Sequence, residues 1–168
     1  MSDTQVFRIW IKASADRIWT AITDPEWTAK YGYAAPQFYE LQKGGRFHST
    51  ATEEMKAYSE ANGFPLPEVI LDGEVLESEP PRRLVQTWRM LMDPTTAAEP
   101  FTTLTYDIEE SGPGVCRVTI THETPGAPAT AAMIRGNTDA GAEGGGGWAW
   151  VLSDLKSLLE TGKVLASA

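Results

Sequence analysis

Few side chains in this sequence have types suited to bond chemistry, and His122 is foremost among them. Along Val115 to Glu123, Cys116, Val118, Ile120 and His122 share one parity, and Arg117, Thr119 and Thr121 share the other. In a strand, that split puts His122 on the apolar, inward face. An inward imidazole can donate a hydrogen bond to a ligand or shuttle a proton. The plainer alternative, a histidine satisfied by its neighbours near a strand end, is preferred. Tyr106 is a second acid or base candidate, because it alternates in phase with Leu104 and Ile108. His48, the other histidine, has the opposite parity to Phe47 and is expected at the surface.

Other chemistries find no support. Two histidines and one cysteine, far apart in the chain, give no zinc spacing, so no metal and no cofactor is expected. No Gly-x-Ser-x-Gly elbow or phosphate loop occurs, and Gly144 to Gly147 has neither the lysine nor the preceding strand of a phosphate site. That glycine run reads as a flexible tether. The acidic pairs Glu53-Glu54 and Glu109-Glu110 point to opposite faces if they lie in strands, and with Glu77 and Glu79 they read as solvated charges at strand ends.

The residues best placed to hold a ligand are apolar. Phe47, Trp88, Tyr106 and Trp148, with Val118, Ile120, Leu152 and Leu155, would line a cavity, with Gln86 and His122 as polar anchors. Plain core packing is an equally good account of each one singly. Trp27 and Tyr31 are candidates for the cavity entrance. Trp150 falls among polar residues on a helical wheel, which points to contact with a loop, a second subunit in a homodimer or another protein.

The elements that would position these side chains follow from pattern. Gln5 to Lys12 reads as a strand. Ser14 is a suitable N-cap for a helix over Ala15 to Thr23, with Ile18, Trp19 and Ile22 on one face. A second short helix, carrying Trp27 and Tyr31, starts at Thr23-Asp24-Pro25-Glu26, through either a Thr23–Glu26 capping box or an Asp24 cap before Pro25. Gly32 and Pro36 stop it. Strands are expected over Arg46 to Glu53, Val69 to Glu77 (broken at Asp72-Gly73), Arg83 to Met92, Phe101 to Glu109 and Val115 to Glu123. Leu84, Gln86, Trp88 and Met90 share a face of the third of these. Met55 to Pro67 reads as an irregular excursion, because Pro65 and Pro67 oppose a helix nearby. Asp93 to Pro100 reads as a loop, and Ala129 to Arg135 as a short helix. The clearest helix spans Trp148 to Thr161, where Trp148, Val151, Leu152, Leu155, Leu158 and Leu159 form a stripe opposite Ser153, Asp154, Lys156, Ser157 and Glu160. It is about 21 Å long.

Strands joined by short turns pair antiparallel, and a sheet and a helix that each have one apolar face bury those faces together. The expected fold is therefore α+β: a curved antiparallel sheet wrapped around a long C-terminal helix, in a single domain over 1–168. A bent sheet cannot touch a straight helix along its whole width, which leaves room for large side chains or a ligand. The formal net charge of −9 repels phosphate backbones and anionic membranes, so neither nucleic acid nor membrane is an expected partner. The single cysteine forms no internal disulfide, no apolar run approaches the length of a membrane span, and the polar start lacks a signal pattern. A cytoplasmic protein is the expectation.

Several segments, in order, carry a resemblance. They are Ala13 to Trp19, Thr23-Asp24-Pro25-Glu26, Gly44-Gly45-Arg46-Phe47, Gly73-Glu74-Val75-Leu76-Glu77, Pro80-Pro81-Arg82-Arg83-Leu84, Trp88, Val118 to Glu123, and Gly147-Trp148 with Leu152, Leu155, Leu158, Leu159-Glu160 and Gly162. Together they resemble bacterial proteins similar to the C-terminal domain of the activator of the heat-shock-protein-ninety ATPase. These belong to the START-related superfamily, with the polyketide cyclases and the birch-pollen allergen. The resemblance implies a helix-grip cavity for a hydrophobic small molecule. Two alternatives are carried with it: a cyclase- or hydrolase-like enzyme using His122 or Tyr106, and a chaperone-associated stress-response interaction domain.

Overall fold

The computed structural model describes residues 3–137 and 145–165. Its first strand, β1 (Thr4–Ile11), leads into α1 (Ala15–Thr23) and α2 (Pro25–Thr28). The chain then crosses to the far edge of the sheet and returns strand by strand. This return comprises β2 (Gln37–Tyr39), β3 (Arg46–Thr50), β4 (Val69–Glu79), β5 (Arg83–Met90), β6 (Thr102–Gly112) and β7 (Val115–Glu123). The sheet order is β1-β7-β6-β5-β4-β3-β2, with every neighbouring pair antiparallel. Helix α3 (Glu53–Ala61) is inserted between β3 and β4, and α4 (Pro94–Ala97) between β5 and β6. After β7 come α5 (Pro128–Arg135) and the long α6 (Gly147–Thr161). The α+β helix-grip architecture expected from the sequence is what forms.

Local chemistry accounts for the boundaries. Ser14 accepts from the Arg17 amide and Asp24 from the Glu26 amide, so α2 starts by the Asp–Pro route rather than the capping box. The Thr23 hydroxyl instead donates to the Trp19 carbonyl. Register shifts at Ser49/Thr50, Val75/Glu77 and Glu110/Gly112 bend the sheet. Inner-face Leu84, Leu104, Ile108, Cys116, Val118 and Ile120 meet Ile18, Trp19 and Ile22 of α1 and Trp148, Leu152, Leu155 and Leu159 of α6 in one core. The far end of α6 is clamped to the β1 end: Arg17 donates to the Leu159 carbonyl, the Lys12 amide to Glu160, and Lys156 to the Trp10 carbonyl.

Several expectations need correction. Met55 to Pro67 is not irregular throughout, because Thr52 caps α3 by accepting from the Met55 amide. Pro65 and Pro67 lie beyond the end of that helix, and a proline forbids helix only near its own position. That cap also ends β3 at Thr50, short of Glu53. Strand β4 runs unbroken through Gly73, where a Cβ would lie 2.0 Å from the Thr87 carbonyl oxygen, so the glycine permits close strand approach instead of interrupting the strand. Asp93 caps the short α4 inside the expected loop. Strand β2 is additional. Tyr31 lies past the end of α2.

The glycine run is not simply a tether. Gly147 opens α6, and a Cβ there would lie 2.3 Å from the Ile134 carbonyl oxygen. The Gly145 carbonyl accepts from the Asn137 amide, so the run crosses the end of α5 at backbone contact distance. Gly144 lies outside the described residues. Asp154, assigned by the helical wheel to the polar side, is only 2% exposed. It accepts from the Gly32 amide at 2.8 Å and the Leu165 amide at 2.7 Å, tying α6 to the loop after α2 and to the C-terminal segment. No helix among the described residues is long and apolar enough to cross a membrane.

Candidate ligand site beneath the C-terminal helix

Strand register brings most of the proposed cavity residues together. Leu104 pairs with both Gln86 and His122, and Tyr106 with both Leu84 and Ile120, so β5, β6 and β7 present one continuous inner face. Phe47 on β3 packs against Tyr39 of β2 with the rings tilted and 4.8 Å apart, extending that face to the opposite edge. Helix α6 lowers Trp148 onto it. Trp148 lies 6.3 Å from Trp88, 6.2 Å from Tyr106 and 6.1 Å from His122, ring centre to ring centre. Phe47, Val118, Ile120, Leu152 and Leu155 are buried in the same core.

His122 is fully enclosed, and its hydrogen bonding fixes its state. The Trp148 indole N–H can only donate, so His122 Nδ1, 3.0 Å away, must be an unprotonated acceptor. The proton of the neutral ring then sits on Nε2 and is donated to Thr102 Oγ1 at 2.8 Å. The Thr102 hydroxyl in turn donates to the Trp88 carbonyl at 2.8 Å. Burial lowers the imidazole to about 4, which keeps it neutral at physiological pH. Both ring nitrogens are engaged within the protein, leaving neither free for a substrate.

A second polar group lies further along the same face. Tyr39 donates its phenolic proton to Gln86 Oε1 at 2.8 Å. Gln86 is fully buried, and its Nε2 has no hydrogen-bond partner. The Tyr39 and Tyr106 phenols lie within hydrogen-bonding reach of each other, and burial raises both above the ordinary tyrosine value. Tyr31 is raised well above it, first by burial and then by its neighbours Tyr106 and Asp154. Three neutral phenols and one amide thus form a polar island in an apolar interior. Beside this island the Trp88, Tyr106 and Trp148 rings pack against one another.

The two entrance candidates diverge. The buried Tyr31 donates to the Ala21 carbonyl at 2.8 Å. Trp27 is half-buried, with Lys30 Nζ 4.2 Å above its ring, and lines a shallow concavity of about 200 Å³ with Asp16, Arg17 and Thr20. Trp150 is half-buried against its own chain, its indole N–H directed at the Gly32 carbonyl at 3.4 Å. The Tyr33 hydroxyl accepts from the Gly146 amide beside it. His48 is turned outward as expected, but is half-buried and stacked on Phe38 at 4.9 Å.

Tyr39, Thr102 and Asp154 were not singled out from sequence. Thr102 has the parity of Leu104 and Tyr106, so strand alternation was sufficient to find it. Tyr39 lies in a three-residue edge strand, too short for alternation to register. A larger concavity, about 510 Å³, lies on the outer face of β3 to β5, lined by Arg46, Asp72, Glu74, Thr87, Leu91 and Phe101. There Arg89 makes a two-point ion pair with Asp72 and covers the Phe101 ring at 4.3 Å. Among the described residues no group of three or more His, Cys, Asp or Glu is arranged to hold a metal ion.

Comparisons with known proteins fit this architecture. A search of the curated proteins finds no match. Among solved structures, CalU16 from Micromonospora echinospora is 21% identical with a TM-score of 0.63, covering 95% of this chain and 77% of its own. Protein MLL2253 from Mesorhizobium loti is 20% identical with a TM-score of 0.65, covering 94% of this chain and 96% of its own. PFC0360w, described as an HSP90 activator from Plasmodium falciparum, is 15% identical with a TM-score of 0.53, covering 72% of each chain. At these identities the likeness concerns the fold. The model of the family described as Activator of Hsp90 ATPase homolog 1-like protein matches residues 12–160, and the chain belongs to that family.

Proposed function

We propose that this protein binds a hydrophobic small molecule between the sheet and α6. The observation that carries the reading is the Gln86 amide, whose Nε2 is buried without a hydrogen-bond partner on the strand that also carries Trp88. An unmet buried donor costs about 1–3 kcal/mol. Such a cost is relieved when a ligand supplies the acceptor. The surrounding Phe47, Trp88, Tyr106 and Trp148 supply apolar surface, the usual companion of a few fixed polar groups in a small-molecule site. Access requires movement of Trp148 or of the contact between α6 and the loop around Gly32. An acid–base reaction has less support, because His122 offers no free nitrogen and the phenols stay protonated.

A chaperone-associated role is the second reading. It is favoured by the description of the Plasmodium relative and by the exposed aromatic pair Tyr58 and Phe64 at the α3 insertion. Trp150, the other candidate contact, faces its own loop. Native mass spectrometry of protein purified from its own host separates the two. The first reading predicts a non-covalent small-molecule adduct that is reduced when Trp148 is replaced by Ala. The bare chain mass, together with failure to bind naphthalene in equilibrium dialysis, would remove it.

A further inference from the structure

The interior site also carries an electrostatic signature that narrows its ligand. We infer that it selects a neutral ligand bearing a hydrogen-bond acceptor, such as a ketone or ester carbonyl, seated on Gln86 Nε2, and that it rejects carboxylates of the same shape. This rests on the reading above and adds a chemical class to it.

Two observations lead there. The first is the direction of the hydrogen bonds. Tyr39 gives its proton to Gln86 Oε1, which fixes the amide with its N–H groups on the opposite side. What the site lacks is therefore an acceptor. No neighbour supplies one: Gln86 Nε2 has no hydrogen-bond partner, and the Trp148 indole carries no acceptor atom.

The second is the absence of an interior cation. Among the described residues no lysine or arginine is buried, and the one buried side chain of a charged type is Asp154. Its two oxygens accept backbone amides, and it lies close enough to Tyr31 to affect that phenol. Arg17, which reaches α6 from α1, is occupied with the Leu159 carbonyl. The remaining polar groups are neutral phenols, the amide and a neutral imidazole. A buried carboxylate would meet no opposite charge and a nearby acidic side chain, and an unpaired ion is far more costly to desolvate than a carbonyl.

Equilibrium dialysis with three probes of one skeleton tests this: naphthalene, 2-acetonaphthone and 2-naphthoate. The wild-type protein is expected to bind the ketone about tenfold more tightly than naphthalene, the size of one satisfied buried donor. Naphthoate is expected to be the weakest of the three. Because Gln86→Leu alone would strand the Tyr39 hydroxyl, the double variant Gln86→Leu/Tyr39→Phe serves as the comparison, with Gln86→Leu measured beside it. In the double variant the ratio of ketone to naphthalene affinity, whatever the absolute affinities, should fall to about one. Naphthoate binding as tightly as the ketone, or a ketone preference that survives in the double variant, overturns the inference. Naphthalene binding with no gain for the ketone also overturns it, while leaving the interior site standing. Failure of all three probes removes both.

Discussion

If His122 is held neutral by a closed network, its effect on stability must depend on pH in one direction. The folded chain takes up the proton only near pH 4, against an ordinary imidazole value of 6.5, and the cause is burial. The unfolded chain takes it up near 6.5. The folded state is thus at no disadvantage above pH 6.5, loses stability as the pH falls from there toward 4, and loses nothing further below that. At 1.36 kcal/mol per pKa unit, the loss between pH 7 and pH 5 is roughly 2 kcal/mol, out of roughly 3 kcal/mol in full. The assay is urea denaturation at pH 7 and pH 5 for the wild type and for His122→Gln. The variant is expected to be less stable at both pH values, because Trp148 Nε1 and Thr102 lose their partner. It should, however, lose roughly 2 kcal/mol less than the wild type between the two. His48, lowered first by burial and then by Arg46, is common to both proteins and cancels. Equal losses in the two proteins would mean that His122 titrates like a solvated imidazole, which would refute the closed network.

Three further substitutions probe how the fold holds the site. Asp154→Ala should cost about 2–3 kcal/mol in urea denaturation and speed amide exchange at Gly32 and Leu165, whose N–H groups it binds. Glu99 caps α5 from outside that helix by accepting from the Ala129 and Thr130 amides and the Thr130 hydroxyl. Glu99→Ala should cost about 1 kcal/mol, with exchange quickened at those two amides. Burial pushes the Glu99 carboxyl up, but the Thr130 hydroxyl and the two amides outweigh it and hold the group below its ordinary value. Its contribution therefore persists above the ordinary carboxylate range and fades as the pH falls through the lowered folded value. Gly147→Ala places a methyl group 2.3 Å from the Ile134 carbonyl oxygen at a backbone φ of +65°, and should cost about 3 kcal/mol by thermal or urea unfolding.

Strand alternation and helical periodicity made the frame legible. Cys116, Val118, Ile120 and His122 face inward as their parity requires, and α6 covers the sheet with the stripe that begins at Trp148. Periodicity was less informative where a side chain's partner is backbone. Asp154 is polar by type and by wheel position, yet it is buried because two distant amides converge on it, which no local pattern encodes. The same holds for Glu99, whose first partner amide, that of Ala129, lies 30 positions later in the chain. Pro65 and Pro67 act only near their own positions, and the Thr52 cap and good helix formers build α3 before either proline is met. At the site, Gln86 and His122 could be placed on one face from sequence. Which of them is satisfied and which is not depends on Tyr39, Thr102 and Trp148 arriving from three other elements.

The most direct test of the interior site is a side-chain N–H spectrum of 15N-labelled protein titrated with 2-acetonaphthone. Binding between the sheet and α6 requires the Gln86 amide pair and the Trp88 and Trp148 indole signals to shift together, in proportion to occupancy. If those signals stay fixed while the backbone amides of Arg46, Glu74, Thr87 and Phe101 move, the ligand is in the outer groove and the account given for the interior is wrong.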